Sequence, residues 1–451
     1  MKYTVILFFL LSGVFINAQH TVSIKMDPAS GNGWVILYKL KGSGHDYVTH
    51  TKSDDGNFTL ELPANAAKGI YRIVYTTNGS PYLDFIYDDE DIALTFNPQA
   101  PNETVTFSKS DENKLFLKYL NSIGKIQYQL DSLQLAYFKV ADPGTAKKME
   151  NDYSHKYSEL HIAQKGFEEQ SQGMLLNHFI KASRRYYAAS LYKNPADYLV
   201  ATKAHYFDAI DFNDPVLLNS SFIIDKINDF IFYLNGSDDT KMQNRLLKEA
   251  IATAIGKTGS NTSLAKDIEE GLINAYVSQG NIELANFLLD DYYEKLPLNY
   301  QDAGFLSDMK GQLRTAIGNK APDITWPEND TEGSLYKLSD ATYYLVIFWS
   351  STCPHCTHEL PLIYDFLKNK KDVQVLAVGL ENDASKNEWL KQVPFYKGWI
   401  EVYGDNKWKN KFAREYGINA TPTFLVLDAG KKIIAKPDTV QDLKNFFENK
   451  Q

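Results

Sequence analysis

The sequence predicts a multidomain chain in which an N-terminal all-β sandwich or barrel and an all-α middle part precede a C-terminal α/β domain. Three observations lead to this fold class. Apolar residues alternate with polar ones over residues 21–108, they recur at helical spacing over 111–315, and strand patterns alternate with helix patterns over 318–451. A chain of 451 residues exceeds what one core serves, and its 44% apolar and 23% charged residues are typical of folded protein.

The pattern of the first part predicts short strands separated by turns. Turn-forming clusters at 30–33, 52–57 and 78–81 interrupt the alternation. The eight candidate strands cover residues 21–26, 34–40, 47–51, 58–62, 71–76, 82–87, 92–96 and 104–107. Strands of this length and spacing favour a small sandwich or a partly closed barrel. No chemistry is indicated here, because His45 and His50 are isolated.

In the middle part the apolar residues change to a helical period. Phe116, Leu120 and Ile123 begin a stripe with the i, i+4, i+7 spacing of one helix face. Further amphipathic segments cover residues 145–191, 221–234, 240–256, 263–278 and 281–296. No repeat of fixed period is present, so the pattern does not predict a solenoid.

The last part alternates strands with helices. The predicted strands cover 343–349, 373–379, 400–403, 423–427 and 431–435, and the predicted helices cover 354–369, 384–392, 407–416 and 438–449. Asp428, Ala429 and Gly430 form a turn between the last two strands. Alternation that ends in a hairpin and a closing helix predicts a mixed α/β sheet.

The N-terminus has the pattern of a secretory signal. Lys2 precedes an apolar run over residues 3–16, and Ala18 is a small residue at the expected cleavage point. We therefore expect residues 1–18 to be a cleavable signal peptide and the protein to be periplasmic or otherwise exported. The run is shorter than the ~20 residues that span a bilayer, which disfavours the alternative of a membrane anchor. No cysteine lies near this junction to carry a lipid.

The net charge of −9 and the two cysteines narrow the function further. An acidic chain without a basic patch argues against nucleic-acid binding. The cysteines, Cys353 and Cys356, stand three residues apart, and a bridge that closes so short a loop stabilises a fold very little. Because exported proteins normally use cysteines in structural disulfides, a close pair on its own indicates redox chemistry, with the disulfide itself as the redox group and no other cofactor.

The pair follows a strand and begins a helix. Cys353 falls at the predicted helix start, where free backbone N–H groups and the helix dipole favour a thiolate. Such positions lower a thiol pKa from about 8.5 to somewhere between roughly 3.5 and 7.5. We therefore expect Cys353 to be the exposed nucleophile and Cys356 to be the buried resolving thiol. Pro354 suits the first helical turn, and His355 can donate to the Cys353 thiolate or carry positive charge near it.

A second motif lies before a later strand, where Thr421 precedes Pro422. A proline is tolerated at the first residue of a strand. Next to a redox-active pair, however, we expect a cis Thr421–Pro422 bond that faces the disulfide. Its open backbone edge would pair with the substrate chain during the mixed-disulfide step, which makes both residues candidate substrate-binding residues.

Together these residues carry a family resemblance. The run from Trp349 through Cys353 and Cys356 to Pro361, with the Thr421-Pro422 pair, resembles the TlpA/ResA-like branch of thioredoxin-fold proteins over about residues 318–451. The resemblance implies an exported thiol–disulfide oxidoreductase that acts on protein thiols, with an apocytochrome or a membrane electron donor among its partners. It also implies that Trp349 lies at the substrate-binding site.

The resemblance assigns roles to two further residues. Glu359 matches the glutamate that in this branch sets thiol pKa values and moves protons, and Pro361 matches the kink in the active-site helix. The β-rich part and the stretch over residues 205–218 resemble segments that precede such domains in exported proteins of Bacteroidota.

The sequence departs from the family pattern at two places. Ile347 stands where ordinary thioredoxins carry a buried aspartate, so proton transfer from Cys356 would depend on Glu359 or on water. The dipeptide Pro354-His355 resembles that of DsbA-type oxidants, whereas the branch as a whole is mostly reductant. The sequence therefore leaves open whether the protein reduces, oxidises or isomerises disulfides.

Three other functions fit parts of the sequence. Cys353, His355, Cys356 and His358 are ligand types for copper, but ligands so close on one helix start cannot all converge on one ion. A peroxidase site of the peroxiredoxin kind needs Pro and Thr where Val346 and Ser350 stand. A surface ligand-binding protein, with residues 19–315 as its binding part and an accessory redox domain, remains open.

Overall fold

The computed structural model describes residues 20–29, 33–76, 81–328 and 331–449. The chain forms two compact units, divided between Ile268 and Glu269. The predicted signal peptide, residues 1–18, lies outside the described residues. Within the described ranges, no helix is both long enough and apolar enough to cross a bilayer.

The first unit begins with two four-stranded sheets. One sheet has the strand order β4-β1-β7-β8 and the other has the order β3-β2-β5-β6. The strands are β1 (Thr21–Met26), β2 (Trp34–Lys41), β3 (Gly44–Lys52), β4 (Asn57–Glu61), β5 (Gly69–Val74), β6 (Tyr82–Tyr87), β7 (Ile92–Phe96) and β8 (Thr106–Lys109). A short helix that the sequence pattern did not indicate, α1 (Pro101–Thr104), lies between β7 and β8.

Both sheets contribute to one apolar cluster. Alternate residues of β1, such as Val22 and Ile24, belong to the same cluster as Val35 and Leu37 of β2. This alternation follows from the two-residue period of a strand, which turns successive side chains to opposite faces. The β-rich character predicted for this region is confirmed, and the finer assignment of a sandwich or barrel stays a prediction.

The rest of the first unit is helical. Its helices are α2 (Asp111–Tyr137), α3 (Pro143–Gln170), α4 (Leu176–Ala182), α5 (Pro195–Ala204), α6 (Pro215–Leu218), α7 (Phe222–Tyr233) and α8 (Thr240–Lys257), and α9 (Thr262–Ser278) runs across the division into the second unit. Side-chain caps start several of them: Asp142 accepts a hydrogen bond from the Thr145 backbone N–H at 2.7 Å, ahead of Pro143.

The helical segment predicted over residues 145–191 is shorter than expected. Helix α3 ends at Gln170, where the Ser171 hydroxyl donates back to the Phe167 carbonyl at 2.8 Å. Gly173 then takes a positive φ of 85°, a conformation that glycine adopts without a Cβ penalty. The chain resumes as α4 and is irregular from Ser183 to Asn194.

The second unit contains the α/β part. After α10 (Ile282–Asp291) and α11 (Ala303–Arg314) come β9 (Thr325–Glu328), β10 (Thr331–Ser334), β11 (Tyr343–Trp349), α12 (Pro354–Leu367), β12 (Val373–Leu380), α13 (Lys386–Gln392), β13 (Ile400–Gly404), α14 (Lys411–Tyr416), β14 (Thr423–Asp428), β15 (Ile433–Ala435) and α15 (Val440–Glu448). The five-stranded sheet has the order β13-β12-β11-β14-β15. Strands β13, β12 and β11 are parallel, and β14 is antiparallel to β11.

Two details of this part differ from the predicted elements. The hairpin of β9 and β10 was not predicted, because each strand has four residues and β9 contains Pro327. Gly333 lets the Trp326 ring lie across this hairpin, since a Cβ at that position would come within 2.3 Å of the ring. The helix predicted over residues 407–416 is a short 3-10 turn followed by α14.

The central strand β11 is buried on both faces. Leu345, Ile347 and Trp349 share an apolar cluster with the buried side of α12. Tyr344, Val346 and Phe348 belong to a second cluster on the opposite face, with residues of α14. Because the strand is held on both sides, its C-terminal end is a fixed base for the loop that follows.

Candidate active site

The loop after β11 places Cys353 at the N-terminus of α12. Cys353 is the N-cap residue, with φ of −90° and ψ of 118°, so its backbone is extended while the helix begins at Pro354. Its backbone N–H donates to the Ser350 carbonyl at 3.1 Å, and its carbonyl accepts from the Thr357 N–H at 3.1 Å. These bonds fix the position that the sequence predicted for the nucleophile.

The surroundings of Cys353 favour its thiolate. Partial burial opposes ionisation, but hydrogen bonds from the Cys356 backbone N–H, the Cys356 thiol, the Thr421 side chain and the His355 backbone N–H outweigh it, so the pKa of Cys353 is lowered. The thiol is half-buried, so a partner can still reach it. This is the behaviour expected of a thiol at a helix N-terminus.

Cys356, one turn further along α12, is completely buried. Burial raises the pKa of this thiol to about 12, although the Ser350 backbone hydrogen bond opposes the shift in part; the neighbouring Cys353 adds to it. Cys356 therefore holds its proton more tightly than Cys353 does. The two sulfurs have the properties predicted for a nucleophile and a resolving thiol.

The second predicted motif lies at the same place in the structure. The Thr421–Pro422 peptide bond is cis. The Cys353 thiol donates to the Thr421 carbonyl at 3.3 Å, although the two residues are 68 positions apart in the chain. Thr421 and Pro422 are both half-buried, so their backbone edge is open beside the nucleophile.

His355 lies on the exposed side of the helix start. Its backbone N–H is the group that helps to lower the pKa of Cys353. Among the described residues, its imidazole has no hydrogen bond to Cys353. The structure thus assigns to the main chain the effect that the sequence argument assigned to the ring.

Trp349 requires a correction to its predicted contact with substrate. Its side chain is completely buried, so it cannot present a ring at the surface. It lies instead behind the dithiol, where its ring meets that of Tyr396 edge to face at a centroid distance of 6.0 Å. The physical reason is the register of β11, which turns Trp349 to the same covered face as Ile347.

Glu359 lies one turn beyond Cys356 on α12 and is half-buried. In the described part of the chain it makes no hydrogen bond or ion pair. Ile347, at the position of the aspartate in ordinary thioredoxins, lies on the covered face of the sheet and is completely buried. The role of Glu359 in proton transfer stays a prediction.

The structure adds Glu381, which the sequence argument did not single out. It follows β12, is completely buried, and accepts a hydrogen bond from the Ser351 backbone N–H at 2.5 Å. The Ser351 carbonyl in turn accepts from the Gln392 side chain at 3.2 Å. These contacts hold the loop that presents Cys353, and an acidic residue directly after a predicted buried strand was the available signal.

A second additional residue is Glu401 on β13. The residue as a whole is half-buried, but both carboxyl oxygens are enclosed and have no hydrogen-bond partner within the described ranges. Burial raises the pKa of Glu401 to about 8, and the nearby Trp349 indole N–H opposes this only in part. No signal in the sequence distinguished it from an exposed residue of a short edge strand.

A groove lies alongside α12 next to the dithiol. Its volume is about 360 Å³. Phe395 in its wall is 72% exposed, which is unusual for so large an apolar ring. The lining residues are Thr357, Pro361, Tyr364, Asp365, Gln392, Phe395 and Tyr396.

The described residues contain no group of three or more His, Cys, Asp or Glu side chains placed to hold a metal ion. The copper interpretation therefore has no preformed set of that size in the part of the chain that can be described. Binding by the two cysteines alone is a separate question.

Comparison with known proteins agrees with the geometry. Residues 316–445 match the family model described as Redoxin. This part of the chain is similar to the Redoxin family. The predicted resemblance to TlpA-like thioredoxin-fold proteins is thereby confirmed for the C-terminal part, and the predicted enzyme class agrees with this family.

Three similar proteins cover different shares of the chain. A thioredoxin-like protein of Haemophilus influenzae is 30% identical over 98 residues, which is 22% of this chain and 56% of that protein. A domain described as a possible thiol-disulfide isomerase from Cytophaga hutchinsonii is 38% identical, with a TM-score of 0.26, and the match covers 30% of this chain and 92% of the domain. A thioredoxin-like protein from Bacteroides caccae is 23% identical, with a TM-score of 0.38, over 57% of this chain and 95% of that protein.

Proposed function

We propose that the protein is an exported thiol–disulfide oxidoreductase that acts on protein thiols and disulfides through Cys353 and Cys356. The proposal rests on the opposite pKa shifts and the different accessibility of the two thiols. Cys353 is accessible with a lowered pKa, whereas Cys356 is buried with a pKa of about 12. The Cys353 thiol thus ionises more readily than an ordinary thiol, and the Cys356 thiol keeps its proton until it resolves the mixed disulfide.

The reaction proceeds through two exchanges. In the reducing direction the Cys353 thiolate attacks a substrate disulfide, forms a mixed disulfide and releases one substrate thiolate, which takes a proton from solvent. Cys356 then loses its proton and attacks the Cys353 sulfur. This closes the Cys353–Cys356 disulfide and releases the second substrate thiolate, so that two electrons pass to the substrate. The oxidising direction runs the same steps in reverse, and the dithiol is the only redox group required.

The substrate backbone is expected to lie along Thr421 and Pro422. The Thr421 carbonyl already accepts a hydrogen bond from Cys353, so a chain bonded to that sulfur would pass directly beside this open edge. The groove at Phe395 begins on the other side of α12 and offers an apolar surface to a side chain of the substrate. Glu359 remains a candidate for moving protons at the helix.

Location and partners belong to the same proposal. The apolar run over residues 3–16, followed by Ala18, supports export. An exported redox domain would meet folding or damaged secreted proteins, an apocytochrome or a membrane electron donor. The first unit carries no chemistry of this kind in its described residues. We assign it no activity and keep ligand binding as its alternative role.

The trapping of a mixed disulfide tests this function. With Cys356→Ser in the full chain, the reduced protein is expected to form a stable adduct with an insulin chain, because nothing resolves the bond at Cys353. Intact mass measurement without reductant would show one added chain, and a dithiol reagent would remove it. Wild-type protein is expected to reduce insulin repeatedly when a dithiol supplies electrons.

The matched control is Cys353→Ser, which removes the nucleophile and leaves the buried thiol. It is expected to form no adduct and to lose turnover by at least about a thousandfold, in line with the loss of a covalent nucleophile. The function is wrong if Cys356→Ser forms no adduct while wild-type protein is no faster than Cys353→Ser.

A further inference from the structure

The covered side of the dithiol contains a carboxyl group that the two exchange steps do not use. Glu401 lies on β13 and is paired in parallel register with Ala377 of β12, which is paired with Ile347 of β11. Neighbours in parallel register turn their side chains to the same face of a sheet. Glu401 therefore shares the face on which Ile347, Ala377 and Cys356 meet.

The paired residues Ile347, Ala377 and Glu401 form one row across the sheet, and in this row the carboxyl group lies on β13 instead of β11. The position on β11 that carries a buried aspartate in ordinary thioredoxins is occupied here by Ile347. Two strands away on the same face, Glu401 supplies a carboxyl group. The residue between them, Ala377, has only a methyl group, so it occupies little of the space between β11 and β13.

Two aromatic residues, Trp349 and Tyr396, lie near both Glu401 and the dithiol. The Trp349 indole N–H is close enough to affect the pKa of Glu401, and the Trp349 ring meets the Tyr396 ring at 6.0 Å. Burial raises the pKa of Tyr396 to about 12, and negative charge on either Glu401 or Cys356 raises it further. The Tyr396 hydroxyl is thus within electrostatic reach of both groups.

The state of the carboxyl group argues against a purely structural role. Buried carboxylates that stabilise a fold are normally paired or hydrogen-bonded. Glu381 in the same unit follows this rule, since it accepts a hydrogen bond from Ser351 at 2.5 Å. For Glu401 the Trp349 indole N–H lies close enough to lower the pKa in part, but neither enclosed carboxyl oxygen forms a hydrogen bond of normal geometry among the described residues.

We propose that Glu401 is the buried acid–base group of the dithiol, taking up the proton that Cys356 loses. The inference rests on the proposed function. When the mixed disulfide on Cys353 is resolved, the Cys356 thiol loses its proton and the Glu401 carboxylate takes it up. The Cys356 thiolate then forms the bond to Cys353 and expels the substrate thiolate. Reduction of the disulfide returns the proton to Cys356.

The ionisable groups around Glu401 allow its titration to be recognised. Tyr396 and Cys356 both titrate near pH 12, and burial also raises the pKa of Tyr403, which lies on the same face of β13. During resolution the Cys353 sulfur is bound in the mixed disulfide and does not titrate. A step that requires ionised Glu401 should therefore accelerate as the pH rises through about 8, below the range in which Tyr396, Cys356 and Tyr403 titrate.

The test separates the attack of Cys353 from its resolution by Cys356. The reduced full chain is mixed rapidly with a symmetric aromatic disulfide whose thiolate product is coloured. The first equivalent of colour reports attack by Cys353, and the second reports resolution by Cys356. In Glu401→Gln the attack phase should be unchanged, whereas resolution should slow by at least about tenfold and lose its rise near pH 8.

Two further variants are matched to this one. Glu401→Asp should keep a rise in rate with pH because it keeps a carboxyl group. Glu112→Gln removes a buried carboxyl from the first unit, where burial raises its pKa to about 7, and should change neither phase. Circular dichroism of each variant checks that it is folded.

The outcomes distinguish this inference from the function on which it rests. Absence of an attack phase in wild-type protein would contradict the proposed function itself. A normal attack phase with unchanged rate and pH dependence of resolution in folded Glu401→Gln would overturn the role of Glu401 alone.

Discussion

The two sides of helix α12 shift the pKa of a cysteine thiol in opposite directions. On the open side, which comprises Cys353, His355 and Thr421, polar groups of the main chain and side chains surround a half-buried sulfur. On the covered side, which comprises Cys356, Trp349, Tyr396 and Glu401, the Trp349 indole nitrogen and both Glu401 carboxyl oxygens are enclosed and form no hydrogen bond of normal geometry among the described residues. Only two residues, Pro354 and His355, separate the two cysteines in the sequence.

This contrast shows that differences in hydrogen bonding and burial give two chemically identical cysteines different roles. Hydrogen-bond donors around Cys353 stabilise its charged form and lower its pKa. Around Cys356 the loss of water is the larger effect, and its pKa rises to about 12. A buried thiol that must ionise needs a group to take its proton, and the covered side contains one carboxyl group without a partner.

The stability of the second unit should depend on the charge of Glu401. Its pKa is about 8 in the folded protein and close to 4.5 when unfolded, so the folded state holds the proton more tightly. Below pH 4.5 the carboxyl is neutral in both states and has no effect. As the pH rises from there to about 8, folding stability falls. Glu401→Gln removes this loss and should be more stable than wild type near pH 8, by on the order of 2–4 kcal/mol.

Urea unfolding followed by tryptophan fluorescence measures this difference. Every tryptophan except Trp34 lies in the second unit, so the signal reports mainly the unit that contains Glu401. At a pH of about 4 to 5 the two proteins should unfold at nearly the same urea concentration. Equal stability of the two proteins at both pH values would show that the covered side does not hold an unpaired carboxyl group.

A smaller effect is expected on the open side at His355. Because His355 helps to lower the pKa of Cys353 only through its backbone N–H, His355→Ala keeps this hydrogen bond and removes only an exposed ring. Exposed charges are screened by solvent and salt, so the pKa of Cys353 should change by less than about half a unit. The reduction potential of the dithiol should change little for the same reason.

Equilibration with glutathione or dithiothreitol measures that potential in both proteins. A wild-type value near thioredoxin's ~−270 mV would indicate a reductant, and one near DsbA's ~−120 mV would indicate an oxidant. A large drop in potential in His355→Ala would contradict the account of the open side. It would show that the imidazole, as the sequence argument expected, stabilises the thiolate.

Much of the C-terminal part follows from local sequence. The bounds of β11, the start of α12 at Pro354 and the cysteine positions were predicted because each depends on a short apolar run or a helix-start signal. The contact of Cys353 with Thr421 was also expected, because a Thr-Pro pair before a strand, in a domain with a redox-active cysteine pair, predicts a cis bond that faces the disulfide. The hairpin of β9 and β10 was missed because its strands are too short to show a period.

The covered side could not be predicted in the same way. Glu401 lies between Ile400 and Val402, and this alternation is also typical of a strand whose charged residue faces solvent. Only the pairing of β13 with β12 shows that Glu401 faces α12. The same limit applies to Trp349, whose position next to the active-site loop does not reveal which face of β11 it occupies.

The pH dependence of alkylation at each cysteine tests the contrast between the two sides most directly. The reduced full chain is treated briefly with iodoacetamide at a series of pH values, and the labelling of Cys353 and Cys356 is separated by peptide mass spectrometry. The account predicts that Cys353 is labelled with an inflection below the ordinary thiol value of about 8.5, while Cys356 stays unlabelled until the protein unfolds. Equal labelling of the two residues, or an inflection for Cys353 at or above the ordinary value, would contradict it.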